Sequence, residues 1–135
     1  MGQLIDGTWH EKDLPRVNSG GEFERKQSDY RSHLGSEKYK AEAGRYHLFV
    51  NAGCPWAYRT ILYRSIKNLS GLITMSYSRP AAGPEGWTFG DPEPLLGAAH
   101  MHQVYTADNS SFTGRCTVPV PVSYTHLTLP TNREV

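Results

Sequence analysis

The chain has 135 residues, 38% of them hydrophobic, a length that allows one modest core rather than two. Its formal net charge is only +1, from 14 basic and 13 acidic side chains, which gives no electrostatic argument for nucleic-acid or membrane binding. No apolar run approaches the roughly 18 residues of a membrane span, and the first residues lack the features of a signal peptide. We therefore expect a single-domain cytoplasmic protein whose partner is a small molecule.

The first third of the chain, residues 1–44, is polar and shows no sustained helix or strand period, so we interpret it as an N-terminal arm. Residues 45–51 alternate along the chain and are rich in aromatic and β-branched side chains, which predicts a strand. A glycine then interrupts this pattern. Cys54-Pro55 opens a segment whose apolar residues recur at helical spacing as far as Leu69, with Gly71 as the expected cap.

The second half of the chain continues the alternation of strands and helices. Residues 73–77 predict a short strand, and a surface loop rich in Gly and Pro follows over residues 79–94. Residues 95–107 fit a second helix, and residues 117–120 form a β-rich stretch that Pro119 interrupts. This element order, with a thiol at the start of the first helix, predicts an α/β fold of the thioredoxin-like type.

Cys54 is the candidate for chemistry. A thiol at a helix N-terminus faces unpaired backbone N–H groups and the positive end of the helix dipole, both of which stabilise its thiolate. Arg59, one turn further on, either adds positive potential or is a solvated surface residue. No second cysteine follows within three residues, so the resolving thiol must be another one, and glutathione is the common cytosolic choice.

Other interpretations of the two cysteines stay open. Cys54 could be a small packing residue, and Cys116 is the internal rival for the role of resolving thiol, although a buried strand residue is its simpler interpretation. We expect Cys54 to be partly accessible, with Pro55 in the first turn of the helix, and we expect no disulfide between Cys54 and Cys116.

The sequence gives no indication of a metal centre. There is no CxxC pair, and no further His or Cys lies at ligand spacing with His100 and His102. These two histidines should point to different sides of the predicted second helix. We expect no metal ligand in the chain.

Five segments resemble, in order and spacing, the N-terminal half of glutathionyl-hydroquinone reductases, the Xi class of glutathione transferases. They are GQLIDGTWH (2–10), RYHLFV (45–50), CPWAYR (54–59), GWTF (86–89) and GRCTVPV (114–120). The resemblance implies a partial thioredoxin-like, glutathione-binding domain over residues 45–120. It also implies glutathione as co-substrate without a further cofactor, a quinol-type small molecule as second ligand, and a homodimeric parent protein.

The resemblance also implies roles for individual residues. Cys54 matches the nucleophile that takes glutathione from a glutathionyl-hydroquinone as a mixed disulfide, which a second glutathione then releases. Trp87 matches a tryptophan that packs on glutathione, and would otherwise be an ordinary packing residue. The family's Arg-x-Thr-Val-Pro segment presents its backbone to the ligand before a cis proline, which implicates Arg115, Thr117, Val118 and Pro119. Without the resemblance, Arg115 would be a solvent-facing charge.

The chain also departs from the family pattern. Tyr58 stands where the family usually has His, and Cys116 where it usually has Val. Residues 121–135 have no counterpart, so we interpret them as a non-native tail and expect the fold to be incomplete at its C-terminal end and the chain alone to be inactive. Two alternative functions stay open, an omega-class-like glutathione transferase or dehydroascorbate reductase, and a non-catalytic thioredoxin-like binding module.

Overall fold

The computed structural model describes residues 2–12, 17, 19–23 and 27–125. These residues form, in chain order, β1 (Gln3–Ile5), β2 (Thr8–His10), β3 (Tyr46–Val50), α1 (Pro55–Ile66), β4 (Ile73–Tyr77), α2 (Met101–Asp108) and β5 (Val120–Ser123). The predicted α/β class is confirmed, and the strands predicted over residues 45–51 and 73–77 are present within one residue of their expected bounds.

The central sheet has the strand order β4-β3-β5. β4 runs parallel to β3, because α1 carries the chain back across the sheet between them, and β5 runs antiparallel to β3. All five residues of β3 are buried, as expected for the middle strand of a sheet that is covered on both faces. β3 therefore fixes the position of the loop that follows it, which begins at Asn51 and carries Cys54.

The first helix begins as predicted and ends earlier. Pro55 occupies its first turn, where a missing backbone N–H removes no hydrogen bond. The prediction that the helical pattern runs on to Leu69 with Gly71 as cap is wrong. Asn68 adopts a left-handed conformation with φ of 54°, and its N–H donates to the carbonyl of Ser65. Asparagine tolerates this conformation better than most residues, so the chain turns here.

Much of the outer surface of α1 is apolar and exposed. Only Ala57 is buried on this helix. The exposed large side chains on it are Trp56, Tyr58, Leu62, Tyr63 and Ile66. Of the apolar residues whose spacing predicted the helix, Ala57 and Ile61 pack towards the core, whereas Leu62 and Ile66 stay exposed among the described residues.

The second helix begins at Met101, so the predicted start at Leu95 is wrong. Glu93 is 3% exposed, and its carboxylate accepts hydrogen bonds from the N–H groups of Leu95, Leu96 and Ala98 at 2.7, 2.7 and 3.0 Å. These bonds hold residues 95–98 in a compact turn, and the chain does not continue there as a helix because Gly97 adopts a positive φ of 68°. The apolar pattern over residues 95–99 belongs to this turn.

A hairpin within the N-terminal arm was not predicted. β1 and β2 pair antiparallel, with Leu4 opposite Trp9, and Asp6-Gly7 forms the turn with φ of 48° and 74°. Two consecutive residues with positive φ define the tight hairpin turn for which Asp-Gly is a strong sequence signal. The signal was present, but strands of three residues are too short to show a period.

The last described strand lies slightly later than the β-rich stretch predicted over residues 117–120. β5 spans Val120–Ser123 and pairs with β3, with Val122 opposite His47, and the Val118–Pro119 peptide bond before it is cis. Pro121, Val122 and Ser123 therefore belong to the central sheet. Of the stretch 121–135 interpreted as a tail, residues 126–135 lie outside the described residues.

His47 places a titratable group inside the sheet. The residue is 2% exposed, and its ring nitrogens lie 2.7 Å from Thr74 Oγ1 and 2.9 Å from Ser76 Oγ on β4. Burial lowers the pKa of His47 below its ordinary value, with nearby Glu93 opposing and Arg64 reinforcing that change. The folded state therefore holds this imidazole in its neutral form at neutral pH.

We expect stability to fall as the pH drops below about 6.5, the ordinary histidine pKa of the unfolded chain. In that window the unfolded state binds a proton at residue 47 and the folded state does not, so acidification favours unfolding until the lower folded pKa is reached. Thermal unfolding measured from about pH 8 to pH 5 should show this decrease of stability with falling pH, and His47→Asn should make the pH dependence weaker. His33→Asn, at an exposed position, is the matched control. An unchanged slope in His47→Asn would contradict the assignment.

Candidate functional site

Cys54 is the N-cap residue of α1. Its backbone is extended, with φ of −89° and ψ of 116°, and its side chain is half-buried. The predicted placement at a helix N-terminus, partly accessible and followed by proline, is therefore confirmed. The carbonyl of Cys54 accepts the first helical hydrogen bond, from Tyr58 N–H at 2.8 Å, so the thiol is held at the end of the helix where backbone N–H groups lie unpaired.

The loop that carries Cys54 is organised by Asn51, which sequence reasoning missed. Asn51 is fully buried at the end of β3. Its side-chain oxygen accepts from Gly53 N–H at 2.8 Å, and its amide nitrogen donates to Ser78 Oγ at 2.9 Å and to the Arg79 carbonyl at 2.6 Å. The Asn–x–Gly spacing is typical of an Asx turn and could have indicated the first of these bonds. Asn51 thus joins the Cys54 loop to the chain after β4.

The segment before the cis proline approaches the thiol. Cys54 Sγ lies 3.8 Å from the carbonyl oxygen of Val118, and Pro119 follows with its cis peptide bond. Val118 is 2% exposed. The Val118 N–H group has no hydrogen-bond acceptor among the described residues. Two residues distant in sequence, Cys54 and Val118, are therefore brought together as predicted for a shared site.

Tyr105 holds this segment in place, a role that the sequence did not reveal. The buried hydroxyl of Tyr105 on α2 donates to the Thr117 carbonyl at 2.9 Å and accepts from the Thr117 N–H at 3.2 Å. Both backbone groups of Thr117 are thus occupied within the protein. Of the two predicted ligand-binding residues Thr117 and Val118, it is therefore Val118 whose backbone N–H is available to bind a ligand.

Trp87 lies on a separate loop. Its side chain is partly buried and packs against the core, and its carbonyl accepts from Met101 N–H at 2.8 Å at the start of α2. Arg115 is partly exposed and lies directly after Gly114, whose N–H and carbonyl both bond to Leu4. The Trp87 loop and the 115–119 segment are therefore each anchored by their backbone.

The guanidinium group of Arg59 lies 4.8 Å from the centre of the exposed Trp56 ring. Arg59 is exposed on the surface of α1, which agrees with the surface role considered for it, and its charge makes a cation–π contact there. Tyr58, which departs from the family pattern, is half exposed on the same helix.

Cys116 is the less reactive of the two thiols. Both cysteines are free, which confirms that they form no disulfide. Cys116 is 3% exposed, and burial raises the pKa of its thiol to about 12. Since the thiolate is the reactive form, Cys116 is a packing residue at neutral pH. Cys54 is then the thiol of this chain that a disulfide reagent can reach.

The geometry of the two central histidines differs from prediction. His100 is the N-cap of α2 rather than a helical residue, and its ring stacks on that of His102 at 5.2 Å instead of pointing to another side. His102 also lies 3.1 Å from a carboxylate oxygen of Glu85. Among the described residues, no group of three or more His, Cys, Asp or Glu side chains could hold a metal ion. No helix in the same ranges is long and apolar enough to cross a membrane.

A parallel strand–helix–strand unit with a thiol at the helix N-terminus, followed by a cis proline and an antiparallel strand, defines the thioredoxin-like fold of glutathione transferases. The Xi-class glutathione transferase from Natrialba magadii superposes with a TM-score of 0.83 at 28% identity, covering 98% of this chain and 41% of that protein. The glutathione-bound structure of YqjG from Escherichia coli K-12 gives 0.77 at 32% identity, with 97% and 42% covered. The predicted fold is confirmed.

Curated relatives point to the same family. Glutathionyl-hydroquinone reductase PcpF from Sphingobium chlorophenolicum is 42% identical over 125 residues, which is 89% of this chain and 40% of PcpF. Glutathionyl-hydroquinone reductase YqjG from Escherichia coli is 38% identical over 135 residues, with 89% and 41% covered. No family model matches the chain. The chain is thus homologous to Xi-class glutathionyl-hydroquinone reductases over most of its own length and spans about 40% of theirs.

Proposed function

We propose that this chain carries the thiol site of a glutathione-dependent oxidoreductase that removes glutathione from glutathionyl-hydroquinones. The observation that carries the proposal is the position of the Cys54 thiol, which is half-buried at the N-terminus of α1 and 3.8 Å from the Val118 carbonyl beside a cis proline. The names of the relatives PcpF and YqjG support the choice of substrate.

The reaction needs one thiol on the protein and one free glutathione in addition to the glutathionyl group of the substrate. The Cys54 thiolate attacks the sulfur of a glutathionyl-hydroquinone, so that a disulfide bond forms and the bond between sulfur and ring carbon breaks. The electron pair of that bond passes to the ring carbon, which takes up a proton. A second glutathione thiolate then attacks the mixed disulfide, releasing glutathione disulfide and the Cys54 thiolate. The quinol ring is reduced, and the glutathionyl sulfur and the sulfur of the second glutathione are oxidised to one disulfide.

In this proposal, three segments recognise glutathione. The Val118 N–H would bond the cysteinyl backbone of the peptide in the manner of an added strand, with Pro119 fixing the turn and Thr117 held by Tyr105 behind it. Arg115 would pair with a carboxylate, and Trp87 would pack on the ligand. Glutathione acts as co-substrate, and the mechanism uses no metal or other cofactor.

For the whole protein we propose a quinol as the second ligand and a homodimer as the assembly. The cytoplasm is the proposed compartment, because its glutathione pool keeps a thiol such as Cys54 reduced. These proposals extend the resemblance to the relatives, of which this chain spans about 40%.

A stoichiometric reaction tests the proposed chemistry. The 135-residue chain is mixed with one equivalent of glutathionyl-hydroquinone without free glutathione. Although we expect no useful turnover by the chain alone, this single-turnover reaction should form hydroquinone and a glutathione adduct on Cys54 in equal amounts, because one bond to sulfur replaces the other. Peptide mass spectrometry locates the adduct, and liquid chromatography measures the hydroquinone.

Matched cysteine variants separate the outcomes of that test. Cys54→Ser should form neither product, and Cys116→Ser should form both. Release of hydroquinone by Cys54→Ser would refute the proposal. An adduct that forms with glutathione disulfide but never with the glutathionyl-hydroquinone would replace it with a mixed-disulfide reductase function.

A further inference from the structure

Trp9, on strand β2 of the N-terminal hairpin, contacts the turn that precedes Trp87. Its indole N–H donates to the Pro84 carbonyl at 2.9 Å, 75 residues away in sequence. The same ring lies directly against Gly86, where an added Cβ would come within 2.9 Å of the indole. The Trp9 side chain thus contacts both Pro84, by a hydrogen bond, and Gly86, by close packing.

A face of the indole is also covered by another ring. The Trp9 ring stacks on His102 with the ring centres 4.8 Å apart and the planes 19° from parallel. His102 projects from α2 and bonds Glu85, the residue between the two that Trp9 contacts. Burial lowers the pKa of His102, which Glu85 opposes and His100 reinforces, so the stacked ring is neutral at neutral pH. Indole, imidazole and the 84–86 turn therefore form one packed unit, which we name the indole clamp.

The hairpin that carries Trp9 is itself tied to the second candidate glutathione segment. Leu4 exchanges two backbone hydrogen bonds with Gly114, at 2.8 and 2.9 Å. Gly7 N–H donates to the Phe112 carbonyl at 3.0 Å, and the Asp6 N–H donates to Thr113 Oγ1 at 2.9 Å. One edge of the hairpin thus holds residues 112–114, directly before Arg115, while Trp9 holds residues 84–86, directly before Trp87.

We propose that Trp9 is a positioning residue for glutathione, which sets the Trp87 loop against the Cys54 site from the N-terminal arm. The proposal rests on the proposed function, since it assigns Trp9 a part in the same ligand site. Trp9 reaches no reacting atom in this scheme. It acts by restricting the conformation of the turn that precedes Trp87. The hairpin contacts the residues before both proposed ligand-binding segments, the Trp87 loop and the segment that begins at Arg115.

The test separates glutathione recognition from the intrinsic reactivity of the thiol. The rate of Cys54 modification is measured with glutathione disulfide and with bis(2-hydroxyethyl) disulfide, and their ratio defines the glutathione preference. We expect Trp9→Ala to lower this preference by about tenfold, because displacing a binding group by about 1 Å can cost up to about 100-fold. The rate with the small disulfide should stay the same, since Trp9 lies outside the Cys54 loop.

Conservative and distant variants complete the design. Trp9→Phe keeps a flat ring on His102 and should recover most of the preference. Glu85→Ala removes the other contact of the clamp from an exposed position and should lower the preference in the same direction. Tyr63→Ala, an exposed aromatic change on α1, is the matched control and should leave the preference unchanged.

Amide hydrogen exchange reports on the loop directly. The Met101 N–H bonds the Trp87 carbonyl, so its exchange should accelerate in Trp9→Ala, while that of Tyr124 N–H, bonded to Arg45, should not. Equal preference in Trp9→Ala, Glu85→Ala and the native chain would overturn the proposal. Absence of any preference in the native chain would instead refute the glutathione function. If Trp9→Ala does not fold, Trp9→Phe and Glu85→Ala decide the matter, and wild-type preference in Glu85→Ala counts against the clamp.

Discussion

Glu93→Ala is expected to destabilise the chain by about 3–5 kcal/mol, since each buried N–H left without a partner costs about 1–3 kcal/mol. The carboxylate is the acceptor for three backbone N–H groups, those of Leu95, Leu96 and Ala98. Alanine would leave all three without an acceptor, that of Ala98 in a buried position and those of Leu95 and Leu96 in partly buried ones. Urea unfolding monitored by circular dichroism measures the change in the free energy of unfolding.

Two further variants give this prediction its control. Glu93→Gln keeps one acceptor oxygen but turns an N–H group towards one of the donors, so its cost should lie between those of the wild type and Glu93→Ala. Glu37→Ala, at an exposed position, should change stability by less than about 0.5 kcal/mol. Similar small effects for Glu93→Ala and Glu37→Ala would show that the turn before α2 does not depend on the carboxylate.

Asn51→Ala should cost about 2–4 kcal/mol, because it leaves the partly buried Gly53 N–H and Arg79 carbonyl groups without their partner and opens a small cavity. The effect should extend to chemistry. With the turn after β3 released, Cys54 would no longer be held beside Val118, so its rate of modification by glutathione disulfide should fall. Both quantities can be measured on the same sample, by urea unfolding and by mass spectrometry.

The isosteric change Asn51→Asp sharpens the prediction about Asn51. Aspartate keeps the acceptor for Gly53 but replaces the amide donor by an oxygen, which would face the Arg79 carbonyl at 2.6 Å. It should therefore be at least as damaging as alanine despite its equal size. Asn109→Ala, in an exposed turn, is the control. If Asn51→Asp were as stable as the wild type, the donor role of Asn51 would be wrong.

Local patterns in the sequence predicted the elements whose formation depends on the backbone preferences of neighbouring residues. The alternation in residues 45–51 marked β3, and the Gly53-Cys54-Pro55 sequence marked the start of α1, because backbone preferences of single residues decide both. The cis bond before Pro119 followed from the family resemblance rather than from any local pattern.

Features that depend on contacts between distant residues could not be predicted in the same way. The buried carboxylate of Glu93 holds the turn before α2, whereas the apolar pattern alone suggested a longer helix. The hydrogen bonds between Tyr105 and Thr117 join α2 to the segment before β5. The hydrogen bond from Trp9 to Pro84 joins β2 to the turn before Trp87. No period or spacing encodes such pairs, since the side chain that makes the bond is chosen by tertiary packing. The candidate site was thus predicted at Cys54, whereas its supporting residues emerged only from the structure.

The central claim is that Cys54 lies in a site that recognises glutathione, and the glutathione preference of the native chain tests it most directly. We expect glutathione disulfide to modify Cys54 at least about tenfold faster than bis(2-hydroxyethyl) disulfide does, since a bound peptide presents its sulfur to the thiolate in a fixed orientation. Cys116, buried and protonated, should remain unmodified under both conditions. Equal rates with the two disulfides would mean that Cys54 is merely an accessible thiol, and would contradict the claim.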